Sequence, residues 1–280
     1  MIKKIFFVLV VSFIALYNLS IIYIDKNISQ KKDKSLYAGC HKVWSSRGLY
    51  EIKAQQNSIL SFQRAFSHGA QGAEVDFYYD VKSDRFIISH KKPKKDQNGT
   101  LVYTQKNGKI LTLEELLQTF EKGYYFWLDY KNLDRISDAE TTQAIKRLLS
   151  ITQENNLRER LFIEGSNPLR LSDYTEAGFK TLLAVRPLPQ DNILASISAN
   201  LFKIGYYFSN VTALAIPYGE IQNPFYGQKS QEALHEVPVF LFHIPDDENL
   251  LYSLVKKEQV RVMLVGRDES KDRFYIDNCK

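Results

Sequence analysis

The sequence lacks most of the features that would assign it to a functional class at once. Its 280 residues include two cysteines, Cys40 and Cys279, which are too few for a disulfide framework and do not fix a redox compartment. Neither G-x-G-x-x-G nor G-x-x-x-x-G-K-[ST] occurs, so neither nucleotide-binding signature is available. The net charge of +5 is too weak and too scattered to predict nucleic acid as a partner. It is compatible with anionic membranes or phosphate-bearing substrates.

What the sequence does contain is enough apolar material for one sizeable core. Hydrophobic residues make up 44% of the chain, with 17 Tyr and 17 Phe, which excludes a disordered protein. No internal repeat or low-complexity linker marks a second domain. We therefore expect a single globular domain after the N-terminal segment.

The N-terminal segment predicts a membrane anchor. Lys3 and Lys4 precede a mostly apolar run from Ile5 to Ile24, roughly 20 residues and about one bilayer crossing. No clear small-x-small cleavage site follows, so we predict an uncleaved anchor over residues 1–25 and a basic linker over 26–35. A cleaved signal peptide is the alternative.

Lysines flank both sides of this run, so the positive-inside rule does not favour the usual direction. Short N-terminal tails of this kind commonly behave as export signals. We therefore predict a single-pass protein whose globular domain lies outside the cytoplasm, in the periplasm or an equivalent compartment.

The remaining chain alternates between predicted strands and helices. The first strand is predicted over Leu36 to His41, and a helix with Asn57 as its N-cap over Ser58 to Ser67. Thr112 with Glu115 predicts a capping box. About eight strand–helix units over residues 36–280 predict a (β/α)8 TIM barrel, with a doubly wound open sheet as the runner-up.

Polar residues fall at the predicted strand ends, where a barrel carries its chemistry. Glu74 and Asp76 are two apart in a strand and share one face, with Val75 on the other. Asp129 and Lys131 repeat this spacing on a later strand. Such side chains are costly to bury in an apolar barrel unless a ligand or a metal satisfies them.

Three histidines also end predicted strands. His41 ends the first, His90 the hairpin strand after Asp76, and His243 a late strand. Two imidazoles beside paired carboxylates suit a metal-assisted acid–base reaction. We interpret His243 as a residue of the pocket wall.

With these motifs the chain resembles the glycerophosphodiester phosphodiesterase family, within the phosphatidylinositol-phospholipase-C-like phosphodiesterases. That family carries, in order, His-Arg-Gly, Glu-Asn-Thr at a helix start, Gly-x-Glu-x-Asp, His-Asp and Glu-x-Lys. The resemblance covers roughly residues 36–268 and is specific in the first third. The corresponding segments here are His41-Lys42, Gln56-Asn57-Ser58, Gly72-Ala73-Glu74-Val75-Asp76, His90-Lys91 and Asp129-Tyr130-Lys131.

The resemblance implies that Glu74, Asp76 and Asp129 hold one divalent cation, Mg²⁺ or Ca²⁺, both of which prefer hard oxygen ligands. It also implies that His41 and His90 flank the phosphorus. One histidine would deprotonate the attacking oxygen and the other would protonate the leaving alkoxide.

Two lysines complete the implied site. Lys131 would neutralise charge on the phosphate or orient the carboxylates, and Lys42 would replace the family's phosphate-contacting arginine without its bidentate fork. Arg47 and Lys53 are further candidates for contact with the substrate headgroup. The implied activity is metal-dependent hydrolysis of glycerophosphodiesters or phospholipid headgroups by a membrane-anchored phosphoric diester hydrolase.

Two departures from the family pattern leave other functions open. Asp129 replaces the family's glutamate, as in sphingomyelinase-D-like relatives, so a phospholipase-D-like lyase that forms a cyclic lipid phosphate is one alternative. Lys91 replaces the aspartate that follows the second histidine. A catalytically inactive, membrane-anchored protein that binds phosphate ligands is the other alternative.

Overall fold

The computed structural model describes residues 2–31, 35–36, 42–106, 108–120, 123–153 and 157–266. Within these ranges, the parallel strands close into a barrel. The strands are β1 Val43–Ser45, β2 Gly72–Asp80, β3 Arg85–Ile88, β4 Lys94–Lys95, β5 Leu101–Val102, β6 Tyr125–Tyr130, β7 Leu161–Gly165, β8 Lys180–Ala184, β9 Ala213–Pro217, β10 Val239–Phe242 and β11 Val260–Val265.

Eight of these strands, all except β3, β4 and β5, form the barrel in the described part of the chain. Closure occurs at β1, which pairs in parallel with β11 on one side and with β2 on the other. Strand β3 lies antiparallel against β2, and β4 with β5 forms a separate small hairpin. The predicted (β/α)8 barrel is confirmed, and the runner-up open sheet is wrong because β1 joins both ends of the strand order.

Helices surround the barrel and connect its strands. They are α1 Ile2–Lys31, α2 Ile59–Ser67, α3 Leu113–Thr119, α4 Asp138–Ile151, α5 Pro168–Glu176, α6 Ile193–Phe208, α7 Gln228–Ala233 and α8 Glu248–Val255.

The N-termini of two helices test the predicted caps. Thr112 and Glu115 form the predicted capping box of α3. Helix α2 is capped by Ser58 rather than by Asn57, because the Ser58 hydroxyl accepts from the Ser61 amide. The Asn57 side chain is occupied elsewhere, against Asp76.

The core consists of two apolar layers separated by the sheet. Val75 and Phe77 belong to the outer layer, between strands and helices. The inner layer fills the barrel with aromatic rings, among them Trp44, Trp127 and Phe240. Because side chains alternate along a strand, inner-layer residues share their face with the polar residues near the strand ends.

The first strand begins later than predicted. It spans Val43–Ser45 instead of Leu36 to His41. Its central Trp44 packs so close to Gly72 that a β-carbon at Gly72 would lie 2.5 Å from the indole ring. The glycine that opens the Gly-x-Glu-x-Asp motif therefore allows β1 to approach β2 and close the barrel.

Helix α1 is long and apolar enough to cross a membrane, over Lys3–Lys31. It continues past residue 25, the predicted end of the anchor. Ile24 and Ile28 are buried in the outer core layer, whereas the large apolar side chains between Ile5 and Leu19 are exposed. The helix thus has one free apolar part and one part that packs against the barrel.

Candidate active site

The carboxylates predicted to act together lie at the C-terminal ends of neighbouring strands. In the parallel pairing of β2 with β6, Asp76 is opposite Asp129. In the pairing of β6 with β7, Asp129 is opposite Glu164. Asp129 is two residues after Trp127 on β6, so both side chains lie on the same face of the sheet. Because Trp127 belongs to the inner layer, the carboxylates also point into the barrel, near the C-terminal ends of its strands.

Glu74, Asp76 and Asp129 each offer an oxygen atom, and these atoms all lie within 4.8 Å of one another. Three carboxylates at this separation form a donor set that suits Mg²⁺ or Ca²⁺. Asp76 Oδ1 is buried, and the group that it faces is the ammonium of Lys131, 2.5 Å away. The residues present therefore fit a divalent cation.

Lys131 places an ammonium group at the same carboxylates. Its Nζ lies 2.5 Å from Asp76 Oδ1 and also donates to Asp129 Oδ2. Burial lowers the pKa of Lys131, but Asp129, Asp76 and Glu74 outweigh that effect and raise the pKa above its ordinary value. Lys131 is therefore charged and balances part of the negative charge of the cluster.

Asp76 is held by Asn57. The Asn57 Nδ2 donates to Asp76 Oδ2 at 2.6 Å, and Asn57 Oδ1 accepts from the Asp76 amide at 3.1 Å. Asn57 is fully buried and has a φ of +55°, an uncommon conformation for a residue with a side chain. The first hydrogen bond orients the carboxylate through Oδ2, and the second holds the backbone of Asp76 against Asn57.

Glu74 is held from the end of β1. The Ser46 hydroxyl donates to Glu74 Oε2 at 2.6 Å, and Arg47 Nε lies 3.8 Å from the same oxygen. Burial, together with the neighbouring Asp76 and Asp129, raises the pKa of the Glu74 carboxyl to about 7, although Arg47 opposes the shift. In the absence of a cation, the crowding of these carboxylates therefore favours the protonated form of Glu74.

The other acidic groups show the same crowding. Burial raises the pKa of the Asp129 carboxyl to about 6, a rise that Lys131 opposes and Asp76 supports. Burial, followed by the charge on Asp129, raises the pKa of Glu164 well above its ordinary value. Trp127 Nε1 donates to Glu164 Oε2 at 2.5 Å. Like charges that share a site in this way favour either protonation or a bound cation.

A cleft of about 830 Å³ opens above these carboxylates. His90 lies at its wall, after β3. His90 is exposed at the cleft wall, and partial burial of its imidazole lowers the pKa of His90; Asp76 opposes the shift and Arg47 adds to it. His90 is therefore neutral at pH 7 and can accept a proton. The cleft is also lined by the basic residues Arg47, Lys53, Lys91, Lys106 and Lys131 and by His243.

Lys42 does not belong to this cleft, so its predicted contact with phosphate is wrong. Its Nζ donates to the carbonyls of Val255 and Lys257, at 2.8 and 3.0 Å, where the chain passes from α8 towards β11. Lys42 lies just before β1, and Ser46 lies just after it. Four residues of extended chain separate the two, a distance of about 13 Å. The chain enters the barrel at Lys42 and reaches the carboxylates only at Ser46.

The shift of β1 also changes which residues match the first motif of the resemblance. A His-Arg-Gly motif at the C-terminal end of the first strand corresponds to Ser46-Arg47-Gly48, which shares the Arg-Gly but has serine in place of histidine. Gly48 has a φ of +83°, and a β-carbon there would collide with Ser61. The predicted catalytic residue His41 lies outside the described residues.

Sequence reasoning did not single out Ser46 or the role of Asn57. The Arg47-Gly48 pair was the available signal for Ser46, but the histidine at position 41 was the stronger catalytic signal. His90, Lys131 and the three carboxylates lie at the cleft as expected. Their roles in catalysis and metal binding stay predictions.

No protein-family model matches the sequence, and a comparison with curated proteins finds no significant match. Solved structures do match. A glycerophosphodiester phosphodiesterase from Parabacteroides distasonis has a TM-score of 0.55 and 17% identity, covering 80% of this chain and 91% of that chain.

Two further structures give the same result. A glycerophosphodiester phosphodiesterase from Thermotoga maritima has a TM-score of 0.54 and 17% identity over 79% of this chain and 92% of that chain. One from Agrobacterium tumefaciens has a TM-score of 0.52 and 12% identity over 81% and 96% of the two chains. This chain has the barrel fold of the glycerophosphodiester phosphodiesterases.

Proposed function

We propose that the protein is a phosphoric diester hydrolase that requires a divalent cation and acts on glycerophosphodiesters or phospholipid headgroups. The convergence of Glu74, Asp76 and Asp129 at the C-terminal end of this barrel carries the proposal. The basic cleft above them suits an anionic phosphodiester. The glycerophosphodiester phosphodiesterases of the same fold support the choice of substrate class.

The roles of the residues follow from their positions. When bound at the three carboxylates, Mg²⁺ or Ca²⁺ supplies positive charge that stabilises the transition state on the phosphate. Arg47 and Lys131 place further positive charge along the cleft and orient the phosphodiester. Lys131 also limits the mutual repulsion of the carboxylates.

His90 carries the proton. As a neutral imidazole it removes the proton from the attacking oxygen while the new phosphorus–oxygen bond forms, and it returns that proton to the alkoxide when the ester bond breaks. One imidazole can perform both transfers in sequence, so the reaction balances with His90 alone. The attacking oxygen comes from water or from a neighbouring hydroxyl of the substrate.

Chelation and replacement of His90 test this proposal together. Hydrolysis of glycerophosphocholine and of lysolipids is measured with EDTA, and then with added Mg²⁺ or Ca²⁺. We expect EDTA to abolish turnover, the metal to restore it, and His90→Ala to abolish it while the protein stays folded. His235→Ala is the matched control, because His235 is exposed outside the cleft. Full turnover in EDTA, or in His90→Ala, contradicts the proposal.

A second candidate is a protein that binds phosphodiesters without turnover. Ser46 at the end of β1, in place of a histidine, and Lys91 after His90 favour it. Calorimetric titration of the metal-loaded protein with glycerophosphocholine, followed by phosphorus NMR, separates the candidates. Binding with no product supports the second candidate. A cyclic phosphate as product supports the lyase that the Asp129-Tyr130-Lys131 segment suggests.

We also propose that α1 is retained as a membrane anchor, with the barrel outside the cytoplasm. Lys203 of α6 is buried, and its ammonium lies 2.7 Å from Asp25 of α1. Removal of α1 by cleavage would leave the buried charge of Lys203 unpaired and would remove Ile24 and Ile28 from the core. N-terminal sequencing of the membrane fraction tests retention, and protease accessibility of the barrel in intact cells tests its side of the membrane.

A further inference from the structure

Helix α6 has an outer surface unlike that of a typical barrel helix. Its one charged residue is Lys203, which is buried. Residues four apart lie on the same side of a helix, and such a series runs along the outside of α6. We call this surface the α6 apolar face; it consists of Ile193, Leu194, Ile197, Leu201 and Phe208, whose exposed fractions run from 42% to 77%.

Another outer helix of the same barrel shows the ordinary arrangement. The exposed positions of α4 include Asp138, Thr142, Lys146 and Ser150. An amphipathic helix normally turns such polar residues to solvent. Because α4 and α6 occupy equivalent places around one barrel, the apolar surface of α6 is not a requirement of the fold. An exposed apolar surface of this extent indicates a site of contact with another protein or with a membrane.

The contacts between α6 and α1 indicate what covers the α6 apolar face. Helix α1 packs against α6 through the Asp25–Lys203 ion pair and through the rings of Tyr23 and Tyr207, whose centroids are 6.0 Å apart. At the end of α1, Lys31 Nζ donates to the Tyr207 carbonyl at 3.1 Å. The apolar anchor therefore leaves the barrel beside α6, so that exposed apolar residues of both helices lie on the same side of the barrel.

We propose that the α6 apolar face lies in the interfacial layer of the phospholipid bilayer that α1 enters, so that two elements hold the barrel against the membrane. This inference rests on the proposed anchoring by α1. An apolar helix face without charges is suited to the boundary between headgroups and acyl chains. The Asp25–Lys203 pair neutralises the single charge that would oppose this position. The barrel would then have one fixed side towards the lipid.

Tryptophan quenching by brominated phospholipid in nanodiscs tests the proposal on the full chain. Leu9→Trp reports on α1, Leu201→Trp on the α6 apolar face, and Thr142→Trp on α4 as the matched control. The native Trp44 and Trp127 are buried in the barrel and give a constant background. We expect loss of emission for Leu9→Trp and Leu201→Trp, and no loss beyond the parent chain for Thr142→Trp. Ile197→Trp repeats the measurement should Leu201→Trp fold poorly.

The outcomes separate the two proposals. Loss for Leu9→Trp without loss for Leu201→Trp and Ile197→Trp overturns the inference and leaves the anchor intact. No loss for Leu9→Trp overturns the anchor and the inference together. Blue-shifted emission from Leu201→Trp without bromine quenching means that a second copy of the chain covers α6, which also overturns the inference. Phosphodiesterase activity of these variants stays a separate measurement.

Discussion

The C-terminal ends of β1 and β2 are neighbours in the barrel but differ in what they contribute to chemistry. Strand β2 presents two carboxylates, of which Asp76 is held by Asn57, whose side chain donates to the carboxylate and accepts from the Asp76 amide. Strand β1 is followed directly by Ser46, whose hydroxyl donates to Glu74. The end of β2 thus has the carboxylates that the resemblance predicts and a side chain that holds one of them. The end of β1, where the resemblance predicts an imidazole, has a hydroxyl. Neighbouring strand ends of one barrel can therefore differ in how closely they follow a motif.

The largest effect is expected at the β2 end. Asp76→Asn removes a charged ligand but keeps the shape of the side chain, so turnover should fall by about 10³-fold or more, and cation affinity should fall with it. Asp173→Asn, at an exposed position of α5, is the control. Kinetics with saturating Mg²⁺ and calorimetric titration of the metal give the two numbers. Unchanged metal affinity in Asp76→Asn would mean that the cluster does not hold the cation.

A substitution at the C-terminal end of β1 should raise the activity instead of lowering it. Ser46→His places an imidazole beside Glu74, and a second proton-transfer group should raise kcat by about 10²-fold. Ser46→Ala and Ser46→Asn are the controls, because neither adds a titratable group. A rise in kcat confined to Ser46→His would sharpen the contrast between the two strand ends. Equal activity in all three variants would show that position 46 takes no part in proton transfer.

Acid should weaken cation binding. The pKa of Glu74 is raised to about 7 and that of Asp129 to about 6, and a protonated carboxyl is not a ligand. Between pH 8 and pH 5 the affinity for Mg²⁺ should therefore fall, by up to about tenfold per pH unit for each proton displaced. Calorimetry in buffers of different ionisation enthalpy counts the released protons. A constant affinity for Mg²⁺ over this pH range would contradict binding by Glu74 and Asp129. The Asp129→Asn variant should lack the loss of affinity that occurs near pH 6.

The smallest effect on activity is expected at the opposite end of β1. Lys42→Met leaves the Val255 and Lys257 carbonyls without their donor, so the free energy of unfolding should fall by about 1–3 kcal/mol while kcat/KM stays the same. Denaturant unfolding and steady-state kinetics measure both. A drop in kcat/KM without loss of stability would restore Lys42 to the phosphate site and remove the distinction between the two ends of the strand.

Most of the barrel could be predicted from the sequence because its strands are buried apolar runs. Strand β11 is an example, with each of its residues from Val260 to Val265 buried. Strand β1 could not be predicted in this way. It has three residues, and its position is set by pairing with β11 and β2 and by the contact of Trp44 with Gly72. These contacts are distant in sequence, so the longer apolar run from Leu36 was the stronger local signal.

The carboxylate cluster could be predicted for a different reason. A spacing of two places Glu74 and Asp76 on one strand face whatever the register, and parallel strands bring their C-terminal ends together. The supporting residues carry no such signal. Asn57 before a helix predicts an N-cap equally well, and a serine such as Ser46 is too common to indicate chemistry. The roles of Asn57 and Ser46 depend on which strands lie beside them in the fold, and the periodicity of the sequence does not give that information.

Lys131 gives this acidic cluster a countercharge that belongs to the chain itself. Its ammonium contacts Asp76 and Asp129 in the folded protein, so the strand ends are not left with three bare negative charges when no ion is present. The ammonium is tethered to the fold, so the charges of Asp76 and Asp129 are balanced in part by the chain itself and not only by the solvent.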